Sequence, residues 1–181
     1  MKEYLKIFYD DIMQFMNDLP LCFLIAVILE AITILILLIR KKKISLRKAV
    51  YVLLFWTYIT AVVFITLLSR EPGSRGGMSF ELFGTWGASR TSRAFVLENI
   101  LLFIPFGFLL PLVFRPARHI RIMLLLAFLY STSIEITQVI TKMGYGQIDD
   151  ILTNVIGAGI GYNLWLFIFQ DHYFQLITHH N

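Results

Sequence analysis

Five apolar stretches, each long enough to cross a bilayer as a helix, occupy most of this 181-residue chain. A helix needs about 20 consecutive apolar residues to span the hydrocarbon core. Hydrophobic residues make up 57% of the sequence, compared with about 45–50% in soluble domains. The pattern predicts an all-α fold, a polytopic membrane helix bundle of about five transmembrane helices. The predicted spans are residues 20–39, 49–68, 96–114, 122–140 and 150–169.

The spans divide the chain into three parts. Residues 1–19 place polar and apolar side chains at helical spacing, which predicts either an amphipathic helix in the headgroup region or a frayed terminus with no role. Residues 20–169 form the transmembrane domain, and residues 170–181 form a tail. The first span is expected to stay in the protein, because it is longer than a signal sequence and the basic run Arg40–Lys43 follows it.

Basic residues between the spans predict the orientation of the helices. Residues 40–48 carry six Lys and Arg and no acidic residue, and residues 115–121 carry three Arg and no acidic residue. Cytoplasmic segments beside membrane helices are enriched in Lys and Arg. The amino terminus is therefore expected outside the cell and the carboxyl terminus in the cytoplasm, although segment 69–94 also holds four arginines.

Polar and acidic side chains occur near the ends of three spans, and the predicted orientation places these ends on the outer face. At 1.5 Å per residue, the side chains lie within roughly 8 Å of that face. Such groups are costly in lipid and mark either a site or a contact between helices. We expect an outer-leaflet polar pocket that binds a ligand, with interhelical hydrogen bonding as the alternative. The residues are Glu98, Asn99, Glu135, Gln138, Asp149, Asp150 and Asn154.

Proline and glycine in the third and fifth spans predict how those helices pack. Pro105, with Gly107 beyond it, removes a backbone donor in mid-span and predicts a kink that lines a cavity or only shapes packing. Gly157 and Gly161 form a small-xxx-small pattern, which lets helices approach closely. Glu30 is the deepest carboxylate in the chain. The sequence leaves its role open between a protonated acid buried in the span and a contact with another helix or a second copy of the protein.

The sequence carries no recognisable catalytic, metal-binding or nucleic-acid-binding motif. It has one cysteine and four histidines, and in the predicted orientation the histidines lie in a cytoplasmic turn and in the tail. The net charge of +4 comes from basic loops. No basic stripe with interleaved aromatics is present, so this charge does not indicate a nucleic-acid-binding surface. We therefore predict no metal, no cofactor and no nucleic-acid partner, and we favour a protein that is not an enzyme.

The segment 69–94 is long and rich in glycine, with Phe80, Phe83 and Trp86 between the glycines. Connections of this length are usually functional or disordered. A lid over the predicted polar layer is the functional interpretation of this segment, and a disordered loop is the alternative.

Three motifs in this order resemble the VanZ-like family of bacterial membrane proteins. They are Glu98–Gly107, Ser133–Gln138 and Ile148–Tyr162, and the resemblance covers roughly residues 50–170. It implies a multi-pass protein of the bacterial cytoplasmic membrane. It also implies an association with resistance to teicoplanin, a lipid-tailed glycopeptide that acts outside the cell on wall precursors.

The chain departs from the family pattern just before the fifth span. An arginine often precedes the double aspartate in the family, whereas residues 143–147 of this chain contain none. The candidates to replace it are Arg70, Arg90 and Arg93.

Three hypotheses follow for the function. The leading one is an envelope protein whose polar layer binds an amphiphile, with membrane lipids and either the lipoglycopeptide or a lipid-linked wall precursor as partners. The second is a membrane enzyme that uses the clustered carboxylates on a lipid-linked substrate. The third is a small lipid transporter or flippase, which the lack of an internal sequence repeat disfavours. A homo-oligomer is compatible with all three.

Overall fold

The computed structural model describes residues 2–40, 45–68, 73, 77–79 and 90–178, with side chains described for residue 17 and for residues 19–40, 45–68, 73, 77–79 and 94–169. The aromatic residues of the predicted lid and the arginine side chains proposed as replacements lie outside the described part. They are Phe80, Phe83, Trp86, Arg70, Arg90 and Arg93.

Five long helices form the described fold. They are α1 (Lys2–Ile39), α2 (Leu46–Val63), α3 (Arg90–Val113), α4 (Ile120–Thr141) and α5 (Ile148–Thr178). Each contributes to a stretch that is long and apolar enough to cross a membrane. These stretches are Leu19–Ile39, Leu46–Leu68, Ala94–Val113, Ile120–Thr141 and Ile148–Phe169. The prediction of an all-α, multi-pass membrane bundle with five spans is confirmed.

Helix α1 joins two segments that the sequence pattern separates. The predicted amphipathic segment and the first span form one helix of 38 residues, with Pro20 inside it. Proline lacks the amide hydrogen that would bond to the preceding turn. The helix nevertheless continues through this position, so the backbone of the amino-terminal segment runs directly into the span.

Three short elements connect or extend the helices. Helix α2 continues as a π-helix over Phe64–Leu68, and a 3-10 helix covers Arg115–Arg118 between α3 and α4. Strands β1 (Met78–Ser79) and β2 (Gly146–Gln147) pair in parallel. Strand β2 directly precedes α5, so this pairing attaches part of the long connection between α2 and α3 to the start of α5.

Helices α3 and α5 pack with their backbones in contact. A Cβ atom added at Gly157 or Gly161 would overlap the carbonyl oxygens of Ile100 and Ile104 in α3. In the other direction, a Cβ atom added at Gly107 would overlap the carbonyl oxygen of Ala158 in α5. Because only glycine lacks a Cβ atom, these positions set how closely the two helices approach.

Aromatic side chains fill the space between α2, α3 and α4. The rings of Phe106 and Tyr130 stack, with centroids 5.4 Å apart and planes 9° from parallel. The hydroxyl of Tyr58 donates to the carbonyl of Leu102 at 2.9 Å. Since Pro105 has no amide hydrogen, the carbonyl of Leu101 lacks its usual bond within α3. Tyr58 donates to the carbonyl one residue further along, so it links α2 to this turn without replacing the missing bond.

Replacing Gly161 with alanine is expected to destabilise the bundle, because the added methyl group would overlap the Ile104 carbonyl. Overpacking of this kind typically costs about 1–3 kcal/mol. Thermal unfolding of the purified protein in detergent would measure this cost as a lower Tm.

Gly159→Ala is the matched control for this substitution. Its Cβ atom would have Leu124 Cδ2 as its nearest neighbour, at an ordinary contact distance of 3.9 Å. Alanine also has a higher helix propensity than glycine, so we expect this variant to keep or raise the Tm. Equal losses of stability in both variants would contradict the packing described here.

Candidate functional site

One face of α4 carries polar side chains into the interior of the bundle. Ser131, Glu135 and Gln138 follow one another at spacings of four and three residues, which places them on one side of a helix. Their side chains are 0%, 5% and 5% exposed. Met123 and Ala127 extend the same buried face toward the other end of α4. The polar residues of this face lie in the half of α4 that ends at Thr141.

Glu135 binds the segment that leads into α5. One of its carboxylate oxygens, Oε2, accepts a hydrogen bond from the backbone amide of Gln147 at 2.9 Å. Gln147 belongs to β2 and immediately precedes the first residue of α5. A buried carboxylate of α4 therefore holds the beginning of α5 in place.

Gln138 connects α4 to the end of α2. Its side-chain amide donates to the carbonyl oxygen of Thr66 at 3.0 Å. Thr66 lies in the π-helix, where the usual bonding of each amide to the carbonyl four residues earlier is shifted by one residue. Its hydroxyl donates to the Val62 carbonyl at 2.7 Å. The irregular turn is thus stabilised by bonds from its own helix and from α4.

Asn154 connects α5 to α4 and keeps one unpaired atom. Its side chain is 4% exposed, and its amide nitrogen donates to the hydroxyl of Ser131 at 2.9 Å. No described residue provides a hydrogen-bond partner for its side-chain oxygen, Oδ1, which is buried. Exchanging the nitrogen and oxygen positions of this amide would leave the nitrogen unpaired instead.

The two aspartates open α5 and differ in burial. Asp149 is 2% exposed, and Asp150 is half-buried. Their carboxylates lie in the first turn, where negative charge is favourable for the helix dipole. The fully buried hydroxyl of Thr153 donates to the carbonyl oxygens of both aspartates, at 3.0 Å and 3.1 Å.

The seven predicted site residues are therefore buried to different degrees. Glu135, Gln138, Asp149 and Asn154 are buried at one end of the bundle. We call this end, formed by the last turns of α2 and α4 and the first turn of α5, the polar end. Asp150 and Asn99 are half-buried, and Glu98 is exposed. The side-chain hydrogen bonds of Glu135, Gln138 and Asn154 join α4 to β2, to the π-helix after α2 and to α5.

An apolar groove lies between α1 and α2 beside the polar end. It has a volume of about 210 Å³. Phe64 and Leu68 line it, and both belong to the same π-helix as Thr66, which binds Gln138. The groove and the polar end therefore share one short segment. The other lining residues are Leu21, Cys22, Ile25, Leu29, Ile59, Thr60 and Val63.

Thr66 and Thr153 are buried polar residues of this end that the sequence analysis missed. A single threonine near the end of an apolar span gives no pattern that predicts a π-helix. The described part of the chain contains no group of three or more His, Cys, Asp or Glu side chains placed to hold an ion.

A family match covers most of the chain. The VanZ/LLP1 family model matches residues 23–170. The chain belongs to the VanZ/LLP1 family. This confirms the resemblance identified from the three sequence motifs, and it extends the match through most of the first span. No curated protein and no solved structure matches the chain.

Replacing Gln138 with leucine is expected to destabilise the protein, because the buried Thr66 carbonyl would lose its donor from α4. Leaving a buried polar group unpaired costs about 1–3 kcal/mol. Thermal unfolding in detergent would show the cost as a lower Tm.

Ser133→Ala is the control on the exposed face of α4. Its hydroxyl donates only to the carbonyl of Tyr130 within the same helix, at 2.6 Å, so we expect little change in Tm. If Gln138→Leu melted at the same temperature as Ser133→Ala, the Gln138 contact would not contribute to stability.

Proposed function

We propose that the polar end of this VanZ/LLP1 protein binds a lipid-tailed amphiphile in the outer leaflet of the bacterial cytoplasmic membrane. We propose further that this binding modulates resistance to teicoplanin-type lipoglycopeptides. The observation that carries the proposal is the burial of Glu135, Gln138, Asp149 and Asn154 at one end of an apolar bundle. Polar groups are costly at such positions unless they bind one another or a ligand.

The unpaired oxygen of Asn154 supports binding of a polar headgroup. This acceptor is buried and has no partner among the described residues, which costs about 1–3 kcal/mol. A ligand that donates a hydrogen bond from a hydroxyl or amide group would remove the cost. Hydroxyl and amide donors are common to sugar and peptide headgroups, so the chemistry suits a glycopeptide or a lipid-linked wall precursor.

The apolar groove supports binding of an alkyl tail. It is lined by aliphatic and aromatic side chains along residues 21–29 of α1 and residues 59–68 of α2. These ranges lie in the half of the bundle that contains the polar end, because α1 enters the span there and α2 leaves it. A tail in the groove would place its headgroup near Thr66 and Gln138, whose contact adjoins the groove.

The proposed orientation places the polar end in the outer leaflet. The described basic residues at positions 40–48 and 115–121 lie at the opposite end of the bundle, which the distribution of Lys and Arg in the sequence assigns to the cytoplasm. They are Arg40, Arg47, Lys48, Arg115, Arg118 and Arg121. A lipoglycopeptide acts outside the cell and inserts its tail from that side. The polar end and the groove would then face the leaflet that the drug enters.

Antibiotic susceptibility in a sensitive Gram-positive host tests the proposed function. We expect the wild-type chain to raise the teicoplanin concentration that stops growth and to leave the vancomycin concentration unchanged, because the latter drug lacks the lipid tail. Glu135→Gln and Asn154→Leu should abolish the protection at matched protein levels, since each alters the proposed headgroup contacts.

Asn163→Leu is the matched control for Asn154→Leu. Asn163 lies on the same helix, but it is exposed and donates to the carbonyl of Gly159 at 2.8 Å. It should retain protection. Equal protection against both drugs would show that the effect does not depend on the lipid tail. Full protection by Glu135→Gln and Asn154→Leu would refute a role for the polar end.

Labelling with a membrane-impermeant maleimide tests the proposed orientation. Lys142 and His119 are exposed at opposite ends of α4, so cysteine at either position can be introduced after Cys22→Ala removes the only native cysteine. We expect intact cells to be labelled at position 142, and at position 119 only after permeabilisation. The reverse pattern would invert the topology and place the polar end in the cytoplasmic leaflet.

A further inference from the structure

Glu30 places a carboxyl group near the middle of the first span. The span covers Leu19–Ile39, so at 1.5 Å per residue Glu30 lies about 13 Å from the nearer end. Its side chain is half-buried. An ionisable group at this depth is costly and normally marks a functional contact.

The polar groups beside Glu30 are already paired with each other. The hydroxyl of Thr33 donates to the Leu29 carbonyl at 2.8 Å and accepts from the indole nitrogen of Trp56 at 3.1 Å. Within the part of the chain that the structure describes, no hydrogen bond or ion pair reaches the Glu30 carboxyl. Among the described residues, this group therefore lacks the partner that its depth in the membrane requires.

Glu30 is also the central residue of a heptad seam along α1. The seam has alternating spacings of four and three residues, the pattern with which two helices pair in a left-handed coiled coil. A polar residue at one position of such a seam specifies the register and the partner. The seam consists of Phe23, Val27, Glu30, Ile34 and Leu37.

The surroundings of α1 leave the seam accessible from the lipid. Only 11% of the most apolar part of this span is buried, compared with 39% for α5. Phe23 and Val27 are 50% and 40% exposed, and Ile34 and Leu37 are half-buried. Cys22 and Thr33, whose backbone carbonyl and hydroxyl accept hydrogen bonds from side chains of α2, lie on a neighbouring face of α1. The seam therefore lies at the edge of the bundle, where another helix can approach.

We propose that two copies of this protein pair through α1, with Glu30 of one copy facing Glu30 of the other. Two copies inserted with the same topology are parallel, and a two-fold axis normal to the membrane brings identical residues together. A carboxyl group suits this symmetry because its protonated form both donates and accepts a hydrogen bond. One proton shared between the two groups is sufficient for a hydrogen bond.

A second copy would supply a partner for the Glu30 carboxyl, which has none among the described residues, and would pack against the apolar seam on either side of it. Alkyl chains would cover the seam but could not bond to the carboxyl. A helix from another protein would need a hydrogen-bond donor at the same depth in the membrane as Glu30. If that donor were basic, its binding would depend on the negative charge of Glu30. This difference makes Glu30→Gln informative, since an amide retains the self-complementary hydrogen bonding but lacks the charge.

Disulfide crosslinking in membranes tests the geometry of the pair. In a Cys22→Ala background, we expect Val27→Cys and Ile34→Cys to form dimers on oxidation, because the two-fold axis places identical seam positions face to face. Ile28→Cys and Ile32→Cys are the controls. They lie off the seam, although their native side chains are more exposed than Val27, at 52% and 48%. Equal or stronger crosslinking at the control positions, or none at the seam, would overturn the proposal.

Energy transfer between labelled copies in liposomes tests the role of Glu30. Liposomes that contain only this protein exclude a helix of another protein as the partner. We expect Glu30→Gln to associate like the wild type and Glu30→Leu to associate roughly tenfold more weakly, the size of effect that an interhelical hydrogen bond has in membranes. Undiminished association of Glu30→Leu, or loss of association in Glu30→Gln, would overturn carboxyl pairing. Unchanged Tm values for both variants would show that the single-chain fold is intact.

Discussion

The backbone contact between α3 and α5 is the interaction on which the rest of the bundle depends. In a bilayer the hydrophobic effect does not drive helices together, so their association relies on close packing and on hydrogen bonds. Gly107, Gly157 and Gly161 allow the two backbones to touch. Helix α2 packs against α3 and helix α4 against α5, so this central pair determines where the ends of the outer helices lie.

The polar end shows that helix contact and ligand binding need not be alternatives. Glu135, Gln138 and Asn154 each hold two elements together through a hydrogen bond. A side-chain amide has both donors and an acceptor. The oxygen of Asn154 is unused among the described residues. Residues that stabilise the bundle can therefore also present hydrogen-bonding groups to a ligand.

Helix α1 is the least buried of the five helices: 11% of the most apolar part of its span is buried, compared with 17% to 39% in the other four. Its two proposed contacts lie on different sides. Leu21, Ile25 and Leu29 line the groove against α2, whereas Glu30 and the rest of the heptad seam lie at the edge of the bundle. A tail in the groove and a second copy on the seam would occupy different surfaces. Amphiphile binding and self-association are thus compatible in one molecule.

The sequence by itself determined the number of spans, because the thickness of a bilayer requires a recognisable length of apolar residues. Helical periodicity likewise placed Glu135 and Gln138 on one face of α4. The tertiary structure decided which groups meet. Gln138 binds a carbonyl in a π-helix that no sequence pattern predicted, and Glu98, at a similar predicted depth, is exposed. The spacing of residues in the sequence specifies how deep a side chain lies in the membrane and on which face of its helix. Which polar group it contacts depends on how neighbouring helices approach and rotate relative to one another.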